Sequence, residues 1–295
     1  NTAVGLNAGA AITTASNNTI VGTNAADAAT TSSQNTAVGS NALGAATTNG
    51  PNTAIGANAL LVANFSTLAS DAIQNTAVGT GSLSGLTTGS YNTASGHNAA
   101  TAITTGSRNT AIGHTARSGT TSSYNTTVGT LAGSAAQGNY NTVVGSNALN
   151  SAAGAIANAT AVGYNSLSGA VTTGANGATA IGNNSLAVLT TGANATAVGS
   201  NSLTAATTGS NDTAVGTSAL SGLTTGSNNT ALGNASGATV TTGSGNTIVG
   251  AAADASTAAA TDRIAIGRAA ISTANFSAQI GEATNSTTSA TLKFR

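Results

Sequence analysis

The sequence predicts an all-β protein built as a parallel β-solenoid, or β-roll, of about 17 coils. Three observations support this prediction. A phrase of the form Asn-Thr-Ala-Val-Gly recurs along the whole chain, and 10 of the 16 intervals between its closing glycines are 17 residues long. The phrase alternates β-branched and small residues, as short strands do. Seventeen residues are too few for two helices with their turns, but they fit one turn of a solenoid. The closing glycines are Gly5, Gly22, Gly39, Gly56, Gly79, Gly96, Gly113, Gly129, Gly145, Gly163, Gly182, Gly199, Gly216, Gly233, Gly250, Gly267 and Gly281.

The composition excludes several classes of function. Only 4% of the 295 residues are charged, six basic and six acidic, against about 25% in ordinary domains. Nucleic acid is not expected as a partner, because a basic face is missing. Membrane insertion is not expected either, because no apolar run approaches the roughly 20 residues of a spanning helix. Without Cys or paired acidic residues, the chain offers no catalytic centre, and we expect no enzyme activity and no cofactor.

One coil can be numbered from the asparagine of its phrase, so that Asn35 is position 1 and Gly39 is position 5. We expect two or three short strands in each coil, separated by corners. Asn at positions 1 and 7 fits corners and can bond along the stack. The Thr-Thr-Gly at positions 13 to 15 marks another corner, at which Gly would supply a positive φ.

The residue types predict which side chains point inward. Val or Ile occupies position 4 in most coils, so positions 4 and 2 should both face the core. Ile264 replaces the usual Thr at position 2, which favours an inner threonine ladder. Recurrent Leu at position 9 and Leu, Ile or Val at position 12 should line the other walls. These are Leu43, Leu60, Leu83, Leu149, Leu167, Leu186, Leu203 and Leu220, then Ile12, Leu86, Ile103, Leu189, Leu223 and Val240.

Position 3 would then point outward and form an exposed apolar column. Such a stripe of small and branched residues is typical of an interface, and side-by-side packing of identical chains would bury it. The residues predicted to form this interface in a homotrimer are Ile20, Ala37, Ala77, Val143, Ala197 and Ile248.

The phrases NTAVGSNAL (35–43), NTAIGANAL (52–60) and RIAIGRAA (263–270) resemble the head repeats of the YadA-like trimeric autotransporter adhesins. Similar repeats occur in phage tail fibres. The resemblance covers essentially the whole chain, although the repeat here is longer and has the additional Thr-Thr-Gly corner. It implies a left-handed, homotrimeric β-roll, an extracellular location on a cell surface or a virion fibre, and attachment to a host glycan or protein receptor.

Two side-chain columns are candidate sites. Tyr91, Arg108, Tyr124 and Tyr140 each precede the first residue of the following coil, so they should line one edge. Tyr and Arg are favoured at recognition surfaces, which predicts a ligand site for a glycan or a protein; the alternative is a ladder of stacked rings that stabilises the coils.

The second column contains His97 and His114, which share position 6 of consecutive coils. They are weak candidates for a metal or pH-sensitive site. The alternative is two exposed histidines at a variable position. The sequence predicts no other metal site.

The remaining features concern organisation. Residues 1–260 form the regular repeat, and residues 261–295 are divergent last coils that we expect to form a cap or a junction, with Glu282, Lys293 and Arg295 among their charges. The insertion at 61–74, which contains Phe65, is either a binding loop or a tolerated insertion. Arg117 falls at the core position 9 and is expected to tip outward because its coil is short.

Threonine columns at positions 2, 13 and 14 leave an ice-binding solenoid as the alternative function.

Overall fold

The computed structural model describes residues 1–44, 50–61, 73–117, 119–133, 138–150, 154, 156–172 and 175–281. It confirms an all-β parallel solenoid with a repeat of about 17 residues, and the described residues contain no α-helix. The chain forms two compact units, Asn1–Ala157 and Asn158–Arg295. Each unit is a stack of coils in which a strand pairs with its equivalents in the coils before and after it.

Each regular coil contributes one three-residue strand, not the two or three that we expected, and the rest of the coil is made of turns. Pairing is parallel and in register, for example with Thr36 opposite Thr53 and Ala37 opposite Ala54. The strands of the first unit are β1 (Thr2–Val4), β2 (Thr19–Val21), β3 (Thr36–Val38), β4 (Thr53–Ile55), β5 (Thr76–Val78), β6 (Thr93–Ser95), β7 (Thr110–Ile112), β8 (Thr126–Val128) and β9 (Thr142–Val144).

The second unit contains the same ladder and a small second sheet in its last coils, where β16 pairs with β18. Its strands are β10 (Thr160–Val162), β11 (Thr179–Ile181), β12 (Thr196–Val198), β13 (Thr213–Val215), β14 (Thr230–Leu232), β15 (Thr247–Val249), β16 (Asp254–Ala255), β17 (Ile264–Ile266), β18 (Ile271–Ser272) and β19 (Ala278–Ile280).

The predicted direction of the strand side chains was wrong. Position 3 is the buried residue of the strand, and positions 2 and 4 point outward, as the Thr36–Val38 strand shows with a buried Ala37 between two partly exposed neighbours. Ile264, which supported an inward position 2, is itself 39% exposed. The core column at position 9 is confirmed, since all eight of its predicted leucines are buried.

The predicted trimer interface is therefore corrected. The side chains at position 3 lie in the core of their own coils and cannot touch another chain. Leucines at position 9 fill most of the space opposite the strand, so a small side chain fits best at position 3. The corrected residues are Ile20, Ala37, Ala77, Val143, Ala197 and Ile248, each with no exposed surface.

Side-chain volumes in the core are matched between neighbouring coils. Where position 3 carries Ile or Val, position 9 of the preceding coil carries Gly. A Cβ on Gly9 would lie 3.1 Å from Cδ1 of Ile20, and a Cβ on Gly237 would lie 3.1 Å from Cδ1 of Ile248. Interiors are packed with few voids, so the glycine makes room for the larger partner.

The closing glycine of each phrase is required by both conformation and space. Gly39 has a φ of +136°, and a Cβ there would lie 2.6 Å from the carbonyl carbon of Gly56 in the next coil. The glycine of the Thr-Thr-Gly corner differs from our expectation. Gly192 does not have a positive φ; a Cβ there would lie 2.9 Å from the carbonyl carbon of Gly209. Close approach of the coils, and not backbone handedness, therefore selects Gly at this corner.

A buried row of position-1 asparagines links successive coils. We call it the amide row. Oδ1 of Asn18 accepts from the backbone N–H of Asn35 at 2.8 Å and from its Nδ2 at 3.1 Å. The same pair of bonds joins Asn92 to Asn109. Each buried amide thus satisfies a backbone donor that would otherwise be lost inside the protein, and the expectation that these residues bond along the stack is confirmed.

The last described coils are held by a buried arginine. Nε of Arg263 donates to Asn275 Oδ1 at 2.9 Å, and Nη1 donates to the carbonyl oxygen of Ser272 at 3.0 Å. Its backbone N–H bonds to Asn246 Oδ1, the last amide of the row. The charged residues Glu282, Lys293 and Arg295 lie outside the described residues, as do residues 62–72 of the insertion, including Phe65.

Candidate binding edge

The residue immediately before position 1 forms a corner column with left-handed backbone. Most coils place Asn, Gln or Gly there, for example Gln34 at φ +63° and Asn228 at φ +60°. Four consecutive coils place bulky residues instead: Tyr91, Arg108, Tyr124 and Tyr140, at φ between +57° and +61°. Asn and Gly adopt this conformation most readily, so the four bulky residues depart from the pattern of the repeat.

These four side chains form one continuous stack, which we call the Tyr–Arg ladder. The guanidinium carbon of Arg108 lies 5.3 Å from the ring centroid of Tyr91 and 5.2 Å from that of Tyr124. Nη1 of Arg108 donates a hydrogen bond to the Tyr124 hydroxyl at 2.7 Å. The rings of Tyr124 and Tyr140 stack with centroids 5.0 Å apart. The sequence thus correctly predicted that these residues share one edge.

Most ring faces in the ladder are covered by the next member, while the outer edges remain open. The rings of Tyr91, Tyr124 and Tyr140 are 47%, 43% and 58% exposed. Cation–π contacts and ring stacking hold neighbouring coils together. This agrees with the alternative that the ladder stabilises the coils. The same geometry presents ring edges, hydroxyls and guanidinium N–H groups to solvent in a fixed array.

The ladder lies in a part of the chain that has no acidic residue. Between Asp71 and Asp212 the sequence contains no Asp or Glu, while Arg108, Arg117 and both histidines fall in this span. Arg108 therefore has no carboxylate on neighbouring coils to neutralise it. The ring edges carry partial positive charge, so the exposed rim of the ladder favours anions.

His97 and His114 are stacked, as the sequence predicted. Their ring centroids are 5.3 Å apart and the rings are parallel within 5°. Parallel rings direct their nitrogen lone pairs alongside one another, whereas a shared metal ion needs them to converge. Across the described ranges, no group of three His, Cys, Asp or Glu side chains is arranged to hold a metal ion.

The outward side chains of the strands form a second exposed surface, the TxV face, made of Thr at position 2 and Val, Ile or Leu at position 4. Ile112 is 42% exposed and Leu232 is 48% exposed. The apolar stripe that the sequence predicted therefore exists, but position 4 supplies it. Sequence reasoning missed this because Val and Ile are usually buried.

Two buried polar groups also escaped sequence reasoning. Arg117, expected outside, is 1% exposed, and its guanidinium has no hydrogen-bond partner among the described residues. Burial lowers its pKa to about 10. The second group is Asp212, which stands at position 1 where most other coils have Asn. Burial raises its pKa to about 6. Both residues differ from the residue that the repeat has at their position, and this difference was the sequence signal that could have identified them.

The part of the chain that the structure describes has no helix long and apolar enough to cross a membrane. The chain matches no known protein family and no curated protein.

Proposed function

We propose that the chain is a non-enzymatic structural segment of an extracellular fibre or adhesin, in which identical chains assemble through the TxV face. The observation that carries this proposal is the exposed position-4 column. Val, Ile and Leu recur there on strand after strand within each unit, with 38% of Ile181 and 48% of Leu232 open to solvent. A contiguous apolar surface of this kind is typical of an interface.

Self-association is supported by chemistry. A surface made of Thr and Val is complementary to a copy of itself, as the closed symmetry of homo-oligomers requires. The chain has only six basic and six acidic residues, so little charge repulsion opposes the contact. The resemblance of the repeats to YadA-like heads and phage tail fibres supports three copies and the extracellular location. Attachment to a host surface follows from the same resemblance.

The test is the mass of the purified chain in solution by light scattering. We expect three times the chain mass of 27.5 kDa. Ile181→Glu combined with Leu232→Glu should give the single-chain mass, because each carboxylate would be buried in an apolar contact. Val188→Glu is the matched control, since Val188 is 45% exposed but lies outside the TxV face. A monomeric wild type would contradict the proposal.

Ice binding is the second candidate, because the position-2 threonines point outward and not into the core. Strands about 4.8 Å apart place the hydroxyls of Thr179, Thr196 and Thr213 in a regular row. A monomer that depresses ice growth, and loses that effect in Thr196→Lys, would favour this function. An assembled chain without effect on ice growth would exclude it.

A further inference from the structure

We propose that the Tyr–Arg ladder is a binding site for an anionic polysaccharide, a chain of sugars bearing carboxylate or sulfate groups. This inference rests on the proposed attachment function and gives its partner a chemical class. It begins with a departure from the repeat: Tyr91, Arg108, Tyr124 and Tyr140 occupy a corner that most other coils fill with Asn, Gln or Gly.

The ladder is organised before any ligand arrives. Arg108 is held between the rings of Tyr91 and Tyr124, and its Nη1 is fixed by the Tyr124 hydroxyl. Side chains that are already ordered lose little freedom on binding. A long arginine and three tyrosines therefore act as one rigid strip, although all four belong to an exposed edge.

The groups that the strip presents determine the ligand. Nη1 of Arg108 donates to Tyr124, and the remaining guanidinium N–H groups are available for the two oxygens of a carboxylate or sulfate. The hydroxyls of Tyr91 and Tyr140 lie on either side along the stack and can bond to sugar hydroxyls. No acidic residue occurs between Asp71 and Asp212 to compete for the guanidinium.

The shape of the strip favours an extended polymer. Its members belong to four successive coils, so its polar groups recur at roughly the 4.8 Å spacing of paired strands. Stacking covers the inner ring faces, which leaves edges and donors and no deep apolar surface. A polysaccharide offers repeated hydroxyls and anionic groups along one direction, which matches this array.

The experiment uses three polymers with one backbone: dextran, carboxymethyl dextran and dextran sulfate. Their binding to the full chain is measured by fluorescence anisotropy at low and at physiological salt. We expect binding to at least one anionic polymer and none to dextran. The anionic polymer that binds identifies the recognised group. Equal binding of neutral dextran, or no binding of either anionic polymer at low salt, would overturn the proposal.

The decisive variant is Arg108→Gln, because Gln occupies the same left-handed corner at Gln34 and Gln74 and should preserve the fold. Loss of a charge-assisted pair should weaken binding about tenfold or more. Tyr91→Asn and Tyr140→Asn should each weaken it severalfold. Arg268→Gln, which removes an exposed charge elsewhere, is the matched control and should bind normally. An equal loss in Arg268→Gln would show that only net charge matters and would overturn the site.

Light scattering on the same samples keeps this result separate from the proposed function. Arg108→Gln should keep the mass of the wild type, because the ladder lies at a corner and not on the TxV face. A monomeric wild type that binds an anionic dextran through Arg108 would support the ladder and reject the assembly. A trimeric wild type that binds neither polymer would reject the ladder and leave the assembly intact.

Discussion

Cδ1 of Ile248 lies 3.1 Å from the point that a Cβ of Gly237 would occupy, and Ile248 occupies a position at which most coils have Ala. The usual arrangement is the reverse, with Leu at position 9 and Ala at position 3 of the next coil, as for Leu203 and Ala214. The two positions share one core volume, which Cδ2 of Leu220, 2.7 Å from the same point, also borders.

This relationship predicts strong coupling between the two sites. Ile248→Ala alone should lower the free energy of unfolding by about 2–5 kcal/mol, because it leaves a cavity. Gly237→Leu alone should overpack the core at a cost of about 1–3 kcal/mol. The left-handed φ of Gly237 is no obstacle, since Leu220 has φ +48° at the same position of the preceding coil.

The double variant tests the coupling by urea unfolding. Gly237→Leu with Ile248→Ala should be more stable than the sum of the single effects predicts, by about 0.5–3 kcal/mol. Additive losses would show that the two side chains do not share a volume.

The closing glycines should tolerate no side chain. Gly39→Ala would place a Cβ 2.6 Å from the carbonyl carbon of Gly56 at a φ of +136°. We expect a loss of about 3 kcal/mol or more in unfolding free energy. Gly81→Asn is the control, because a Cβ there would meet Oδ1 of Asn98, the movable end of a side chain and not backbone. Position 7 already carries Asn in neighbouring coils, as at Asn58 and Asn98, with φ near +58° and +54°. Equal stability of both variants in thermal unfolding would contradict the steric explanation.

Asp212 should make stability depend on pH. Asn229 donates its backbone N–H and its Nδ2 to Asp212 Oδ1, at 2.8 and 3.0 Å, while Oδ2 is buried without a hydrogen-bond partner. In the next coil the equivalent atom is the amide nitrogen of Asn229, which donates to the carbonyl oxygen of Gly243 at 2.9 Å. Only the protonated acid can make that bond.

The sign follows from the raised pKa. Burial raises the pKa of Asp212 from 3.8 to about 6, so the folded protein favours the protonated form. The stabilisation that the protonated Asp212 carboxyl provides is complete below pH 3.8 and is lost as the pH rises through about 6. Asp212→Asn should therefore be more stable than the wild type at pH 8, by about 1–3 kcal/mol, and the difference should shrink at pH 4. Chemical unfolding at the two pH values measures it, and a difference independent of pH would reject this account.

Arg117 should destabilise the coil that buries it. It has no partner for its guanidinium among the described residues and lies in the column that Leu fills elsewhere. Arg117→Leu should raise the free energy of unfolding by about 1–4 kcal/mol, because a packed apolar side chain replaces an uncompensated charge. A destabilised Arg117→Leu protein would indicate that the charge is compensated.

The sequence was sufficient for the repeat, the parallel stacking, the position-9 core and the shared edge of the Tyr–Arg ladder, because each of these depends on spacing alone. It was not sufficient for the side-chain direction in a three-residue strand. Val38 was expected to point inward and Ala37 outward because Val is the more hydrophobic residue. That criterion fails here because the core accepts only a small side chain at the centre of the strand, which leaves the larger apolar side chain on the outside. The burial of Arg117 depends on contacts across several coils, which periodicity does not encode.

The amide row has a consequence for how such a gene can change. Asn18 gives Asn35 the same two bonds that Asn92 gives Asn109, so a coil with Asn at position 1 can receive from one neighbour what it offers to the other. Recombination between similar coding repeats would add or delete whole coils and join chemically equivalent surfaces. The number of coils is then a heritable variable that selection can adjust while these bonds are kept.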